Sequence, residues 1–196
     1  MVSIIDYNTG NLRSVENALR RLGADCVLTA DRDTILASDK VILPGVGEAS
    51  SAMRKLRERG LDVLISSITR PVLGICIGMQ LMCRHSEEGD ADCMSIFPTD
   101  VRRLEPDPEN AVKVPHTGWD RLSRLRGPLF RNIPEGTYVY FVHSFAADIC
   151  PDTDAVCRSG AEFSAALSSG NFYGVQFHPE KSGTAGELII KNFLEL

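Results

Sequence analysis

The chain has little that would direct it to a membrane, to nucleic acid or to an oxidising compartment. No apolar run approaches the roughly 20 residues that a transmembrane helix needs, and no signal-peptide pattern of basic segment, apolar core and cleavage site stands at the amino terminus. No basic block stands out, and the net charge of −5 gives no electrostatic reason to expect nucleic acid or an anionic membrane as a partner. We therefore expect a cytoplasmic protein that binds neither.

Spacings typical of metal sites are also missing from the cysteines, which are Cys26, Cys76, Cys83, Cys93, Cys150 and Cys157. The sequence has no C-x-x-C pair and no zinc-finger spacing. An even count would allow disulfides, but a chain of 196 residues can build a sizeable core without them. We expect reduced thiols, most of them packed as small apolar side chains. The motifs call for no cofactor and no metal.

No internal repeat, low-complexity tract or linker divides the sequence, so residues 1–196 are expected to form one domain. In the first half, short apolar segments such as Val2 to Asp6 alternate with segments of helical periodicity. This alternation predicts parallel strands joined by right-handed crossovers, which is an α/β fold. From about Cys93 to Phe177 the sequence is typical of strands and turns, with a strand expected from Thr137 to Phe145. A final helix is expected to begin near Thr184.

One cysteine lies in a Gly-x-Cys-x-Gly segment. Residues 71–75 form an apolar run, Cys76 follows it, and Gly74 and Gly78 flank the cysteine. This is the thiol counterpart of the sharp strand-to-helix turn that presents a serine in α/β-hydrolases. Glycines permit the backbone angles and close approaches that such a turn needs. Cys76 is therefore a candidate nucleophile at the carboxyl end of a strand, where open α/β sheets bind ligands.

A second segment, far downstream, offers a base and an acid in His178 and Glu180. A cysteine, a histidine and an acid that are distant in sequence can meet in the fold as nucleophile, base and orienting group. Pro179 stands between them and is expected to keep the segment extended. Three other histidines are rival bases that we interpret as structural or accessory: His85, His116 and His143.

A carbonyl attacked by a thiolate becomes an oxyanion that needs fixed hydrogen-bond donors. The backbone N–H of Ile77, directly after the nucleophile, is one candidate. The segment Pro44-Gly45-Val46-Gly47, called the glycine loop below, follows another predicted strand and is a second candidate. Gln80 lies about one helical turn beyond Cys76, so it shares that face of the helix and is a candidate substrate ligand.

Six segments resemble those of one enzyme family: Asp6-Tyr7-Asn8-Thr9-Gly10-Asn11-Leu12, Leu43-Pro44-Gly45-Val46-Gly47, Gly74-Ile75-Cys76-Ile77-Gly78-Met79-Gln80, Pro115-His116-Thr117-Gly118-Trp119, Tyr140-Phe141-Val142-His143-Ser144 and Gln176-Phe177-His178-Pro179-Glu180-Lys181-Ser182. On these segments the chain resembles the class I glutamine amidotransferases. More narrowly, residues 115–119 and the Lys181-Ser182 ending resemble the glutaminase subunits of imidazole glycerol phosphate synthases, from histidine biosynthesis. Ile77 departs from the leucine that is usual in the family.

The resemblance implies a doubly wound, mixed but mostly parallel sheet flanked by helices, in a flavodoxin-like three-layer arrangement. It also implies a triad of Cys76, His178 and Glu180 that hydrolyses glutamine to glutamate and ammonia through a thioester. The residues then expected to contact glutamine are Val46, Gly47, Ile77, Gln80, His143, Ser144 and Phe145.

A partner is implied as well. In the family the ammonia passes to a cyclase subunit, a (β/α)₈ barrel, which makes imidazole glycerol phosphate and an aminoimidazole carboxamide ribotide. This chain is too short to contain such a barrel besides the amidotransferase domain, so we expect a heterodimer with a separate cyclase chain. The candidate docking residues are the single tryptophan and three polar residues: Trp119, Asn11, Tyr138 and Lys181.

Two other functions stay open at this point. A stand-alone cysteine hydrolase, such as a γ-glutamyl peptidase, would turn over its substrate without a partner, whereas a glutaminase subunit should be slow until the cyclase binds. A non-catalytic regulatory relative would keep the fold for binding alone. The intact Cys76, His178 and Glu180 argue against that third possibility.

Overall fold

The computed structural model describes residues 1–109 and 112–196. The strands among these residues are β1 (Val2–Ile5), β2 (Cys26–Thr29), β3 (Lys40–Leu43), β4 (Val72–Ile75), β5 (His85–Ser86), β6 (Ala91–Asp92), β7 (Asp100–Arg103), β8 (His116–Arg121), β9 (Tyr138–His143), β10 (Phe145–Ala147), β11 (Thr153–Ser159), β12 (Ala161–Ser169) and β13 (Phe172–Val175). The helices are α1 (Leu12–Arg21), α2 (Arg32–Ala37), α3 (Ala49–Glu58), α4 (Leu61–Ser66), α5 (Ile77–Leu81) and α6 (Gly183–Leu194), with 3₁₀ turns at Pro128–Phe130 and Pro179–Lys181.

Within the described residues, eleven of these strands form one mixed sheet, and β8 pairs with β9 in a separate antiparallel ribbon. The order in the large sheet is β2-β1-β3-β4-β13-β12-β10-β7-β5-β6, and β11 pairs with β12 at the side of this path. The first five strands of that order are parallel. From β12 onward the pairs are antiparallel except for β5 with β7. The predicted α/β class with a mostly parallel core is confirmed.

The parallel strands at the centre of the sheet are mostly apolar and buried. All four residues of β1 and all four of β4 are buried, which is the pattern of strands covered on both faces. Helix α1 presents Val15, Ala18 and Leu19 to the core, and its other side is polar. In the described parts of the chain, no helix is long and apolar enough to cross a membrane.

The strand predicted from Thr137 to Phe145 is two strands. Ser144 separates β9, which pairs with β8, from β10, which pairs with β7 and β12. The final helix begins at Gly183, next to the predicted Thr184. The single domain over residues 1–196 stays a prediction.

Three neighbouring parallel strands end at the same edge of the sheet. Leu43 of β3 lies opposite Gly74 of β4, and Ile75 lies opposite Val175 of β13. The segments that follow these strands are the glycine loop, Cys76 and the residues from Gln176 to Glu180. The carboxyl edge of a parallel sheet thus brings together the motifs that the sequence singled out.

Candidate active site

Cys76 occupies a sharp turn between β4 and α5. Its backbone has φ 54° and ψ −112°, in a region that side chains other than glycine rarely adopt and that marks stored strain. Gly78 makes the turn possible, because a β-carbon there would lie 1.8 Å from the carbonyl oxygen of Leu43. At Gly74 a β-carbon would lie 2.7 Å from the carbonyl of Gly78. The turn predicted from the two glycines is present in the structure.

His178 and Glu180 form a buried pair at this turn. The imidazole Nδ1 lies 2.8 Å from Glu180 Oε1, and the two side chains are 2% and 0% exposed. The amide of Asn11 donates to the same carboxylate oxygen at 2.6 Å. The prediction of an extended segment was wrong: Pro179 to Lys181 form a 3₁₀ turn. That turn folds the carboxylate back onto the imidazole two residues before it.

The pair is charged in the folded protein. Burial is the largest influence on His178 and lowers its pKa, but hydrogen bonding and charge from Cys76 and Glu180 outweigh it and raise the pKa from 6.5 to about 9. Burial also raises the pKa of Glu180, and the contacts with His178 and Asn11 reverse this, so that the pKa is lowered overall. At neutral pH the imidazolium therefore stands between a carboxylate and the sulfur.

A cavity of about 310 Å³ opens in front of Cys76 and His178. All seven residues predicted to contact glutamine line it, whereas Glu180 lies behind His178. Three further lining residues were not singled out from the sequence: Glu88, Pro115 and Val142. Glu88 lies two residues after β5, and a strand of two residues is too short to show a periodic pattern in the sequence.

Two segments that line the cavity with Cys76 offer backbone donors. Ile77 is the first residue of α5, where a helix leaves its N–H groups without acceptors in the helix. In the glycine loop, the N–H of Val46 donates to Thr9 Oγ1 at 3.2 Å, and the Thr9 hydroxyl lies 3.3 Å from the Val46 carbonyl. Gly47 has φ 101°, which only glycine adopts without strain. In this conformation the Val46 N–H is hydrogen-bonded to the Thr9 hydroxyl.

Gln80 is almost completely buried beneath the cavity. Its Nε2 donates at 2.8 Å to the carbonyl of Phe145 and at 2.8 Å to Gln176 Oε1. Its own carbonyl oxygen is buried and has no hydrogen-bond partner in the part of the chain that the structure describes. An acceptor of this kind is ready for a donor on a ligand.

His143 is neutral. Burial lowers its pKa to about 3 despite a hydrogen bond to the Phe145 carbonyl, which acts in the opposite direction. Its Nδ1 lies 2.9 Å from that carbonyl and its Nε2 lies 3.1 Å from His116 Nδ1. A carbonyl can only accept, so Nδ1 carries the proton and His116 donates to Nε2. This histidine is a fixed hydrogen-bonding group in the cavity wall.

The β8–β9 ribbon exposes one face. Trp119 is 54% exposed and Tyr138 is 53% exposed, on the same side of the ribbon. Tyr140 lies on the same side, and its ring packs edge-on against Trp119 with 6.0 Å between the two ring centroids. The Lys181 ammonium lies 6.0 Å from the centroid of the Tyr140 ring. The sequence analysis missed Tyr140, which the alternation along β9 would have revealed. Asn11 is engaged with Glu180, and its docking role stays a prediction.

The chain matches the family model described as glutamine amidotransferase class-I over residues 3–196. Solved structures agree in fold: a structure described as glutamine amidotransferase has a TM-score of 0.75 at 18% identity, covering 99% of this chain and 97% of that one. A glutamine amidotransferase from Thermotoga maritima has a TM-score of 0.65 at 18% identity, covering 99% of this chain and 82% of that one. The chain belongs to the class I glutamine amidotransferase family.

Relatives with much higher sequence identity show to which group within this family the chain is most similar. Imidazole glycerol phosphate synthase subunit HisH of Bacteroides fragilis strain YCH46 is 54% identical, with 100% of this chain and 99% of that protein covered. The protein of the same name from Escherichia coli K12 is 47% identical over the same shares of the two chains. Within the class I amidotransferases, the chain falls with these HisH subunits.

Proposed function

We propose that this chain is the glutamine-hydrolysing subunit of an imidazole glycerol phosphate synthase and supplies ammonia for histidine biosynthesis. One observation supports it most: Cys76, on its strained turn, and His178 of the buried His178–Glu180 pair line one cavity together with the seven predicted glutamine contacts. A cytoplasmic location and a heterodimer with a cyclase chain belong to the same proposal.

The first half of the reaction forms a thioester. His178 already holds the proton that the Cys76 thiol has given up, and the thiolate attacks the side-chain amide carbon of glutamine, so that a C–S bond forms and the carbonyl becomes an oxyanion. His178 then protonates the amide nitrogen, the C–N bond breaks, and ammonia leaves. Glu180, fixed by Asn11, holds the imidazole in one orientation and stabilises its charge.

In the second half, water attacks the thioester carbonyl while His178 takes a proton from it. The C–S bond breaks, glutamate leaves, and the sulfur is restored. The oxyanion forms twice in this sequence and needs the same donors each time. Ile77 N–H supplies one. The glycine loop supplies a second after the Val46 N–H has left Thr9, a rearrangement for which Gly47 has the necessary backbone freedom.

Glu88 is assigned to the α-ammonium of glutamine, because among the described residues that line the cavity it is the one with a carboxylate. Burial raises the pKa of Glu88 despite a hydrogen bond from the Ala49 N–H, and a bound ammonium would offset that burial. We expect Glu88→Gln to raise KM for glutamine about tenfold with little change in kcat, measured by glutamate release. Glu48→Gln, an exposed neighbour outside the cavity, is the control. An unchanged KM would refute the assignment.

The exposed face of the β8–β9 ribbon is assigned to the cyclase. Trp119, Tyr138 and Tyr140 provide the aromatic area that interfaces favour, and Lys181 adds a positive charge at its border. The ribbon is also tied to the catalytic base, since the His178 N–H donates to the Tyr140 carbonyl at 2.9 Å. A partner that orders Tyr140 therefore acts directly on the segment that carries His178.

Titration with the cyclase tests the function and the docking face together. We expect glutamate release to be slow for the chain alone and to rise strongly with added cyclase and its ligand. Trp119→Ala should require about thirtyfold more cyclase for half of the effect, because buried tryptophans dominate interface energies. Val63→Ala, an exposed apolar side chain on α4, should titrate like the unmodified chain.

Two results would contradict these assignments. A rate that ignores both the cyclase and its ligand would favour a stand-alone hydrolase over a coupled subunit. An unchanged half-effect concentration for Trp119→Ala, with normal stimulation, would place the docking face elsewhere while leaving the glutaminase assignment intact.

A further inference from the structure

Gln176 lies completely buried between Cys76 and Gln80, and neither the triad nor the glutamine contacts account for it. Its side-chain Nε2 lies 3.6 Å from the sulfur of Cys76. Its Oε1 accepts from Gln80 Nε2 at 2.8 Å. The residue precedes the His178 segment directly after β13, so its backbone is anchored to the sheet beside β4.

The orientation of the Gln176 amide follows from its neighbours. The carbonyl of Phe145 can only accept, so the Gln80 atom 2.8 Å from it must be the NH₂ group. That NH₂ group also faces Gln176 at 2.8 Å, where it needs an acceptor, so Gln176 must present its oxygen there. The remaining end of the Gln176 amide, its NH₂ group, then points at the sulfur. His143 Nδ1 fixes the same Phe145 carbonyl from another side.

We propose that Gln176 is a positioning residue, whose amide N–H holds the Cys76 sulfur in place and stabilises it as a thiolate. A hydrogen bond to an ionised acceptor is stronger than one to a neutral acceptor, so this contact favours the thiolate over the thiol. The proton itself goes to His178, as in the proposed function, on which this inference rests for the role of Cys76. Gln80 keeps the donating end of Gln176 toward the sulfur.

The test is the pH dependence of alkylation by iodoacetamide, followed on the Cys76 peptide by mass spectrometry. Only the thiolate reacts well. For Gln176→Met we expect the pH of half-maximal alkylation to rise by about one unit, with a roughly tenfold slower reaction at neutral pH. Cys93 serves as an internal reference in each sample, since it lies away from the cavity and its curve should not move.

Gln176→Glu has the shape of glutamine and places a carboxylate oxygen beside the sulfur in place of a donor. We expect its Cys76 alkylation curve to move to higher pH by at least as much as that of Gln176→Met. The glutamate variant therefore provides the same test if the methionine variant does not fold. In both variants, kcat for glutamine should fall about tenfold with KM within about twofold, because the contact is to the reacting sulfur.

The two assignments fail separately. Folded variants with an unchanged Cys76 alkylation curve would overturn the role of Gln176, whatever their glutaminase rate. Failure of the unmodified chain to hydrolyse glutamine with the cyclase present would overturn the proposed function, and the alkylation curves do not depend on that result.

Discussion

Replacing Cys76 by serine is expected to lower glutamate release by about ten thousandfold or more, even in the presence of the cyclase. The serine hydroxyl is far less acidic than a thiol, so the imidazole of His178 cannot generate a comparable nucleophile. The fold should survive, because serine is close in size to cysteine and Cys76 is fixed mainly by its backbone turn. Initial rates of glutamate formation at saturating cyclase provide the measurement.

Cys93→Ser is the matched control for this prediction. Cys93 is half-buried, and its thiol donates to the Ala91 carbonyl at 3.5 Å, a contact that a hydroxyl can also make. We expect the Cys93→Ser variant to release glutamate at a rate within about twofold of that of the unmodified chain. A Cys76→Ser variant with a rate near that of this control would remove Cys76 from the mechanism, and with it the thioester.

The sequence allowed the parallel half of the fold to be predicted because local patterns decide it. Strand β4 is a continuous apolar run and β1 is interrupted only by Ser3, and such runs are typical of strands that are buried on both faces. The turn at Cys76 was predictable for a similar reason, since Gly74 and Gly78 are local requirements of that geometry. Strands β5 and β6 have two residues each, too few to show any period.

The candidate site was only partly predictable, because much of it depends on contacts between distant residues. The sequence places Asn11 in a loop rich in turn formers, and nothing local to it indicates that its amide binds Glu180, 169 positions away. Gln176 was noted only as part of a family segment, since its contacts with Gln80 and Cys76 come from strands brought together by the sheet. Side-chain partners of this kind are a product of topology.

The extended conformation expected around Pro179 was wrong for a related reason. Proline disfavours the helical region only for the residue before it, and His178 is indeed extended, with φ −98° and ψ 95°. Proline itself is well suited to begin a helical turn, because its φ is already fixed near the required value. The 3₁₀ turn at Pro179 is what brings Glu180 within reach of His178.

His178→Ala is expected to lower kcat for glutamine by about a thousandfold or more, because the variant can neither take the proton from Cys76 nor protonate the leaving ammonia. Glu180→Gln is the graded comparison: it keeps an acceptor for His178 and Asn11 but removes the charge, so a smaller loss of about a hundredfold is expected. Equal losses in the two variants would contradict the supporting role of Glu180, which is to orient the imidazole and stabilise its charge.

The same His178→Ala variant also tests the charge of the buried pair through stability. The pKa of His178 is raised from 6.5 in the unfolded chain to about 9 in the folded one, so its contribution is fully present below about pH 6.5 and is lost as the pH rises through about 9. Across this window the unmodified chain should lose up to about 1.4 kcal/mol of unfolding free energy per pH unit relative to the variant. Urea unfolding at several pH values measures that difference. Parallel curves for the two proteins would show that the imidazole is neutral in the folded state, and then the proton for ammonia would have to be transferred to His178 during the reaction.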